Sequence, residues 1–312
     1  MRLIRLWPDD SRFDFMKFRR FSFPLSALFS VVTVVLLLTV GLNFGIDFKG
    51  GTLMELQAKS GQADVGKVRQ AADSFGFGEV EVQEFGTAGG ISLRFAIQEG
   101  GEAAQSAVVQ KARDTFGAEY EFQRVETVGP RVSGELVQSG TVGIILAVIA
   151  VLFYLWFRFE RELAVGAIIG TLHDIVLTLG FFVITRHEFN MTSIAAILTI
   201  VGYSLNETVV VFDRTRELMR RYKTMPSVDL LNLSINNTMS RTVMTAVTTA
   251  LSLLALVLFG GRAIEGFAQV MLYGVVICTY SAICISSPML IYIGLRGSEA
   301  TKTVGGKVAP AE

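Results

Sequence analysis

Six long apolar runs dominate the chain, at about residues 23–42, 138–157, 163–184, 191–212, 242–260 and 267–293. Each is close to the ~20 residues that a helix needs to cross a bilayer core. Between the first two runs the pattern changes to short amphipathic stretches. Thr52–Ala58 reads as a strand, and Ala63–Phe75 has helical spacing through Val65, Val68, Ala71, Ala72 and Phe75. Glu79–Phe85 and Ile91–Ile97 alternate apolar and polar positions. Glu102–Phe116 is a second helix and Glu119–Val128 a last strand. The order βαββαβ predicts a ferredoxin-like α+β domain over residues 43–137. Such a sheet carries its helices on one face and leaves the other open, to water or to a ligand. The predicted fold class is a polytopic α-helical membrane protein: a six-helix transmembrane bundle with a small extracytoplasmic α+β domain.

Charge adds the orientation. Of 312 residues 51% are hydrophobic and only 18% charged, against about 25% in a soluble domain. Lys and Arg balance Asp and Glu at 28 each, so nothing favours a nucleic-acid partner. The basic residues are unevenly placed. Arg2, Arg5, Arg12, Lys17, Arg19 and Arg20 precede the first run. Arg158 and Arg161 separate the second from the third, and Arg214, Arg216, Arg220, Arg221, Lys223 and Arg241 lie between the fourth and fifth. Arg296, Lys302 and Lys307 follow the last, whereas the opposite loops hold Arg186 and Arg262. Residues 1–22 and 294–312 are therefore expected in the cytoplasm, and 43–137 outside. Thr39-Val40-Gly41-Leu42 offers no small-residue cleavage site, so the first run reads as an uncleaved anchor. Val228, Leu230, Leu231, Leu233 and Ile235 alternate with polar residues. They predict an amphipathic helix, lying on the membrane surface or packed on the bundle. Cys278 and Cys284, six apart on one run, point to different sides and read as unbonded small hydrophobes.

Candidate chemistry sits inside the runs. His173 and Asp174 fall mid-span, Asp174 ~16 Å along its helix from Leu163. A carboxylate at that depth costs at least ~2.5–3.5 kcal/mol, so it should face the bundle interior. There it either handles protons or, permanently protonated, makes a helix-to-helix hydrogen bond. Gly166 and Gly170, one turn earlier, would let a neighbouring helix approach closely. Glu207 lies near the end of the fourth run; Tyr203, Asn206 and Glu207 make a polar stripe that should face protein or a wet cavity. Arg241 opens the fifth run at a similar depth, either as a partner for Glu207 or as an ordinary positive-inside anchor. The run Gly45-Ile46-Asp47-Phe48-Lys49-Gly50-Gly51-Thr52 lacks the lysine that a phosphate-binding loop requires before its threonine. Its glycines predict a tight turn into the first strand. His173 and His187 are the only histidines. No cluster suggests a metal, a cofactor or a catalytic nucleophile, so no enzymatic activity is expected.

These motifs together resemble one family. Gly45–Thr52 after the first span, Val128-Gly129-Pro130-Arg131-Val132-Ser133 before the second and His173-Asp174 in the third are three of its marks. Gly202–Arg214 and Ser234–Thr242 are the others. The chain, from about residue 15 to 295, closely resembles the SecF subunits of the SecD/SecF protein-export family, part of the RND superfamily. The resemblance implies a bacterial inner-membrane protein paired with SecD beside the SecYEG translocon. YajC and YidC are further implied partners. It implies use of the proton motive force to help an exported, unfolded polypeptide clear the channel. It also implies a proton path through an Asp of SecD and an acid and an Arg of SecF, which fall here on Glu207 and Arg241. The family usually carries Asp where this chain has Glu207, one methylene longer. A small-molecule or lipid exporter of the RND type, or a passive structural subunit, would share the same spans.

Overall fold

The computed structural model describes residues 8, 11–78, 80–84 and 89–295. Arg2, Arg5, Arg296, Lys302 and Lys307, used above for orientation, lie outside the described residues, as do Glu79 and Phe85 and the side chain of Arg262. Among the described residues six helices are long and apolar enough to cross a membrane: Phe15–Thr39, Pro130–Arg158, Arg161–Thr185, Met191–Arg221, Ser227–Phe259 and Ile264–Ile293. The chain divides into two units, one of Phe44–Gly143 with Glu188–Met191 and one containing the rest.

The bundle unit contains α1 (Arg19–Thr39, preceded by a 3-10 turn at Phe15–Phe18), α6 (Arg161–Thr185), α8 (Ser227–Phe259) and α9 (Arg262–Ser281), with α5 (Pro130–Arg158) from Ile144 on and α7 (Met191–Arg221) from Thr192 on. About half of the apolar stretch of α6, α7 and the last span is buried, against 11–17% for α1, α5 and α8. The first group is therefore the centre of the bundle, and the second leaves apolar faces outward, as lipid contact requires. Helices α5, α7 and α8 extend beyond their hydrophobic runs. The amphipathic segment before the fifth run is the start of α8 itself. Leu230, Leu231, Ile235 and Met239 are buried against Phe212 and Leu218 of α7, so the segment packs on the bundle. Its polar face clamps the chain before α1. Asn236 Oδ1 accepts the Phe13 N–H at 3.0 Å while its Nδ2 donates to the Phe13 carbonyl at 2.8 Å. One turn earlier, Asn232 Oδ1 accepts the Met16 N–H at 3.0 Å.

The last span is not one regular helix. After α9 a π turn covers Ala282–Ser286, and α10 runs Ser287–Ile293. Pro288 has no N–H to give the Cys284 carbonyl four residues back. Ser22 of α1 donates its hydroxyl to that carbonyl at 3.0 Å. On the other side Gly166 and Gly170 of α6 meet the irregular turn. A β-carbon at Gly170 would stand 1.8 Å from Ser286 Oγ, and one at Gly166 2.7 Å from Leu290. The small-residue pair thus allows the approach that its spacing predicts.

The second unit is an antiparallel sheet in the order β2-β3-β1-β4, from β1 (Gly51–Ala58), β2 (Val80–Glu84), β3 (Gly90–Phe95) and β4 (Tyr120–Val128). With α3 (Val65–Asp73) and α4 (Gly101–Phe116) in their places, this is the βαββαβ arrangement. Met54, Leu56, Val82, Leu93 and Phe95 pack with Val68, Ala72, Val108 and Ala112 of the helices. The opposite face is polar and paired. Glu81 lies across from Arg94, and Arg94 across from Leu53, which lies across from Glu126. Arg94 bonds Glu81 at 3.1 Å and Glu188 at 2.8 Å, and Arg124 bonds Glu126 at 2.7 Å.

Candidate functional site

Helix α7 organises the polar interior of the bundle. Its buried stripe runs Ile200, Ser204, Glu207 and Val211, the 3.6-residue spacing of one helix face. Ile200 seats against Gly274 of α9, where a β-carbon would come within 2.4 Å of it. Cys278, one turn further along α9, is buried with Sγ 3.7 Å from the Ile200 carbonyl. This close contact places Ser204 and Glu207 among four helices.

Asp174 of α6 is 1% exposed. Ser204 Oγ donates to its Oδ2 at 2.5 Å, and His173 Nδ1 lies 3.1 Å from its Oδ1. His173 Nε2 is buried without a hydrogen-bond partner. Glu207 is 2% exposed, and Thr245 of α8 donates its hydroxyl to Oε1 at 3.0 Å. Thr242 Oγ1 and Tyr203 Oη are buried nearby and make no hydrogen bond of good geometry. Both acids therefore face protein, as their membrane depth demands. Hydrogen bonds from Ser204 and Thr245 compensate part of their desolvation.

The other residues singled out in the sequence fall differently. Arg241 is exposed and makes no ion pair with Glu207. A hydroxyl links the two: Thr245 Oγ1 lies 3.0 Å from both Glu207 Oε1 and the Arg241 carbonyl. Asn206, like Arg241, is exposed, while its neighbour Glu207 is buried. Adjacent residues on a helix differ by about 100° in direction. The stripe of Tyr203, Asn206 and Glu207 thus splits into an inward part and an outward part.

The glycine-rich run lies in the sheet unit. It is not a single tight turn but a one-turn helix, α2 (Ile46–Lys49), ended by two glycines at positive φ, Gly50 at 71° and Gly51 at 110°. At Gly51 a β-carbon would stand 2.2 Å from the Phe95 carbonyl oxygen, so only glycine fits. Gly45 donates its N–H to the Phe189 carbonyl at 2.8 Å. Asp47 Oδ2 accepts the Met191 N–H at 2.8 Å, satisfying an orphan donor at the first residue of α7.

Ser204, Thr245 and Thr242 belong to this interior, although nothing in the sequence analysis singled them out, and Cys278, expected as an unbonded small hydrophobe, is free and buried there. Ser204 was open to discovery, since it stands three residues before Glu207 on the same face. Thr245 and Cys278 carry no such signal, because their place depends on how α8 and α9 pack. Among the described residues no group of three His, Cys, Asp or Glu is placed to hold a metal.

This architecture is that of a multi-pass membrane protein with a polar, carboxylate-bearing bundle interior and a small sheet unit. Residues 108–296 match the family described as protein export membrane protein SecD/SecF, C-terminal, and residues 35–62 match its GG motif. The chain belongs to the SecD/SecF family of protein-export membrane proteins. It is 40% identical over 289 residues to the protein translocase subunit SecF of Rickettsia bellii, covering 92% of this chain and 95% of that one. It is 39% identical over 311 residues to protein translocase subunit SecDF of Brucella abortus, covering all of this chain and 41% of the relative. The crystal structure of SecDF, a translocon-associated membrane protein from Thermus thermophilus, superposes with a TM-score of 0.82 at 31% identity, over 92% of this chain and 39% of that one. This chain thus spans about two fifths of the SecDF relatives and nearly all of the Rickettsia SecF.

Proposed function

We propose that this protein is the SecF-like half of a proton-driven export accessory in the bacterial inner membrane. It works with a SecD partner beside a SecYEG-type channel to help an unfolded chain leave the membrane, with both termini cytoplasmic. YajC-like and YidC-like proteins are further partners in this reading. The role is that of a transport subunit rather than an enzyme, and the proton motive force supplies the energy. The observation that carries the reading is the pair of buried carboxylates, Asp174 and Glu207, each held by a hydroxyl from a neighbouring helix. Ionisable groups so placed mark proton or ion pathways in transporters. Arg241 and Asn206 support the partner. They are exposed at a depth where polar groups need protein or water, and a second helical half would supply both.

The test is reconstitution of the complex in sealed vesicles with an imposed proton gradient. Glu207→Gln and Arg241→Met are expected to abolish gradient-dependent stimulation of export while leaving the purified complex intact. Full stimulation in both variants would sink the reading.

A further inference from the structure

We infer that Ser204 is a proton relay between Glu207 and Asp174, making the two acids one proton-holding unit inside this chain. The inference rests on the proton-coupled reading above and adds an internal branch to it.

Three observations converge on Ser204. Its hydroxyl donates to Asp174 Oδ2 at 2.5 Å, and Ser204 is itself 1% exposed. It lies three residues before Glu207 on one buried stripe of α7, so their β-carbons are about 5–6 Å apart. Two buried polar atoms beside Glu207, Tyr203 Oη and Thr242 Oγ1, make no hydrogen bond of good geometry. An unsatisfied buried group costs about 1–3 kcal/mol, and one water on this side of α7 would relieve both while spanning the gap from Ser204 to Glu207. The titratable groups around the relay are His173 on α6, Tyr203 on α7, Tyr273 and Cys278 on α9 and, exposed, Arg241 on α8.

The transfer is a hydroxyl exchange. A protonated Glu207 gives its proton to the bridging water, which gives one of its own to Ser204 Oγ as the serine hydrogen passes to Asp174 Oδ2. One proton moves from Glu207 to Asp174, the serine and the water are regenerated, and no electron changes hands. Rotation of the serine hydroxyl resets the relay. His173, 3.1 Å from the other carboxylate oxygen, stabilises whichever form Asp174 takes.

The test compares Ser204→Thr with Ser204→Val in the reconstituted complex. Threonine and valine have nearly the same shape, so both carry the same packing change and differ only in the hydroxyl. Gradient-driven stimulation is expected to stay within about twofold of the parent for S204T and to fall at least about tenfold for S204V, in the range of a lost positioned proton-transfer group. Equal stimulation by the two variants, in a complex where E207Q has lost it, overturns the relay and leaves the wider reading standing. Stimulation that survives E207Q overturns both.

Discussion

Gly170 shows how little room α6 has beside the last span. The Ser286 hydroxyl occupies the place where a β-carbon would go, at 1.8 Å, with Ser286 Cβ at 3.1 Å. Alanine there must push the π turn away, and overpacking of this kind costs about 1–3 kcal/mol. Gly170→Ala is expected to lower the thermal midpoint of the detergent-purified protein. Adding Ser286→Ala should return part of the loss, because it removes the nearest clashing atom and an oxygen that has no hydrogen-bond partner. A double variant no more stable than G170A alone would contradict this geometry. The glycine pair was legible from spacing, but its partner was not, since nothing local marks Ser286 as the residue opposite. The same limit applies to the acids. Their burial follows from hydropathy and the cost of charge in lipid, whereas the hydroxyls that hold them come from other helices. Glu207 and Arg241 were legible as a pair by depth alone. Depth does not fix the rotation of a helix about its axis, so it could not show that a hydroxyl, Thr245 Oγ1, stands between Glu207 and the Arg241 backbone.

Among the elements, the last span departs most from its sequence pattern. An apolar run of about the right length predicts one helix, yet Ala282–Ser286 widens to a π turn. The cause is Pro288, which deprives the Cys284 carbonyl of its helical donor. Ser22, on a helix 262 residues away in sequence, replaces that donor. Ser22→Ala is therefore expected to cost about 1 kcal/mol, the net worth of one such bond, and to cost less in a Pro288→Ala background, where a backbone N–H is restored. Unfolding midpoints of the four proteins form the check, and an unchanged cost in both backgrounds would refute it. Other elements were easier to read. The strand and helix order of the sheet unit follows from alternation and 3.6-residue spacing, because each element there has one apolar and one polar face. The ends of α5, α7 and α8 did not, since polar turns that continue a transmembrane helix look like loops when hydropathy is the guide. The same mixture of polar and apolar residues at Ser227–Asn236 left two readings open, and burial of Leu230, Leu231 and Ile235 decides for packing.

For the whole molecule, the charges at the helix ends bear on sidedness. Arg158 at the end of α5 holds Asp213 of α7 at 2.6 Å, and Arg216 reaches the same carboxylate at 3.4 Å. Asp213 therefore offsets part of the positive charge near these ends. Among the described residues, Arg220, Arg221 and Lys223 form no ion pair with a carboxylate of the bundle, so a net positive cluster remains between α7 and α8. Lys and Arg in short loops resist translocation and are retained on the cytoplasmic side, while acidic residues weigh little. The loop between α6 and α7 carries one arginine, Arg186, whose guanidinium is engaged with the Gly41 carbonyl at 2.9 Å. From this asymmetry Thr224 is expected in the cytoplasm and Ser60, in the sheet unit, outside. Both are exposed, and the native thiols are sheltered, Cys278 buried and Cys284 partly so. Single cysteines at the two positions can therefore be read against a low background. In intact cells a membrane-impermeant maleimide should label S60C and leave T224C unmodified until the membrane is opened. Labelling of T224C in intact cells, or protection of S60C, would reverse the orientation and with it the assignment of the sheet unit to the side where an exported chain emerges.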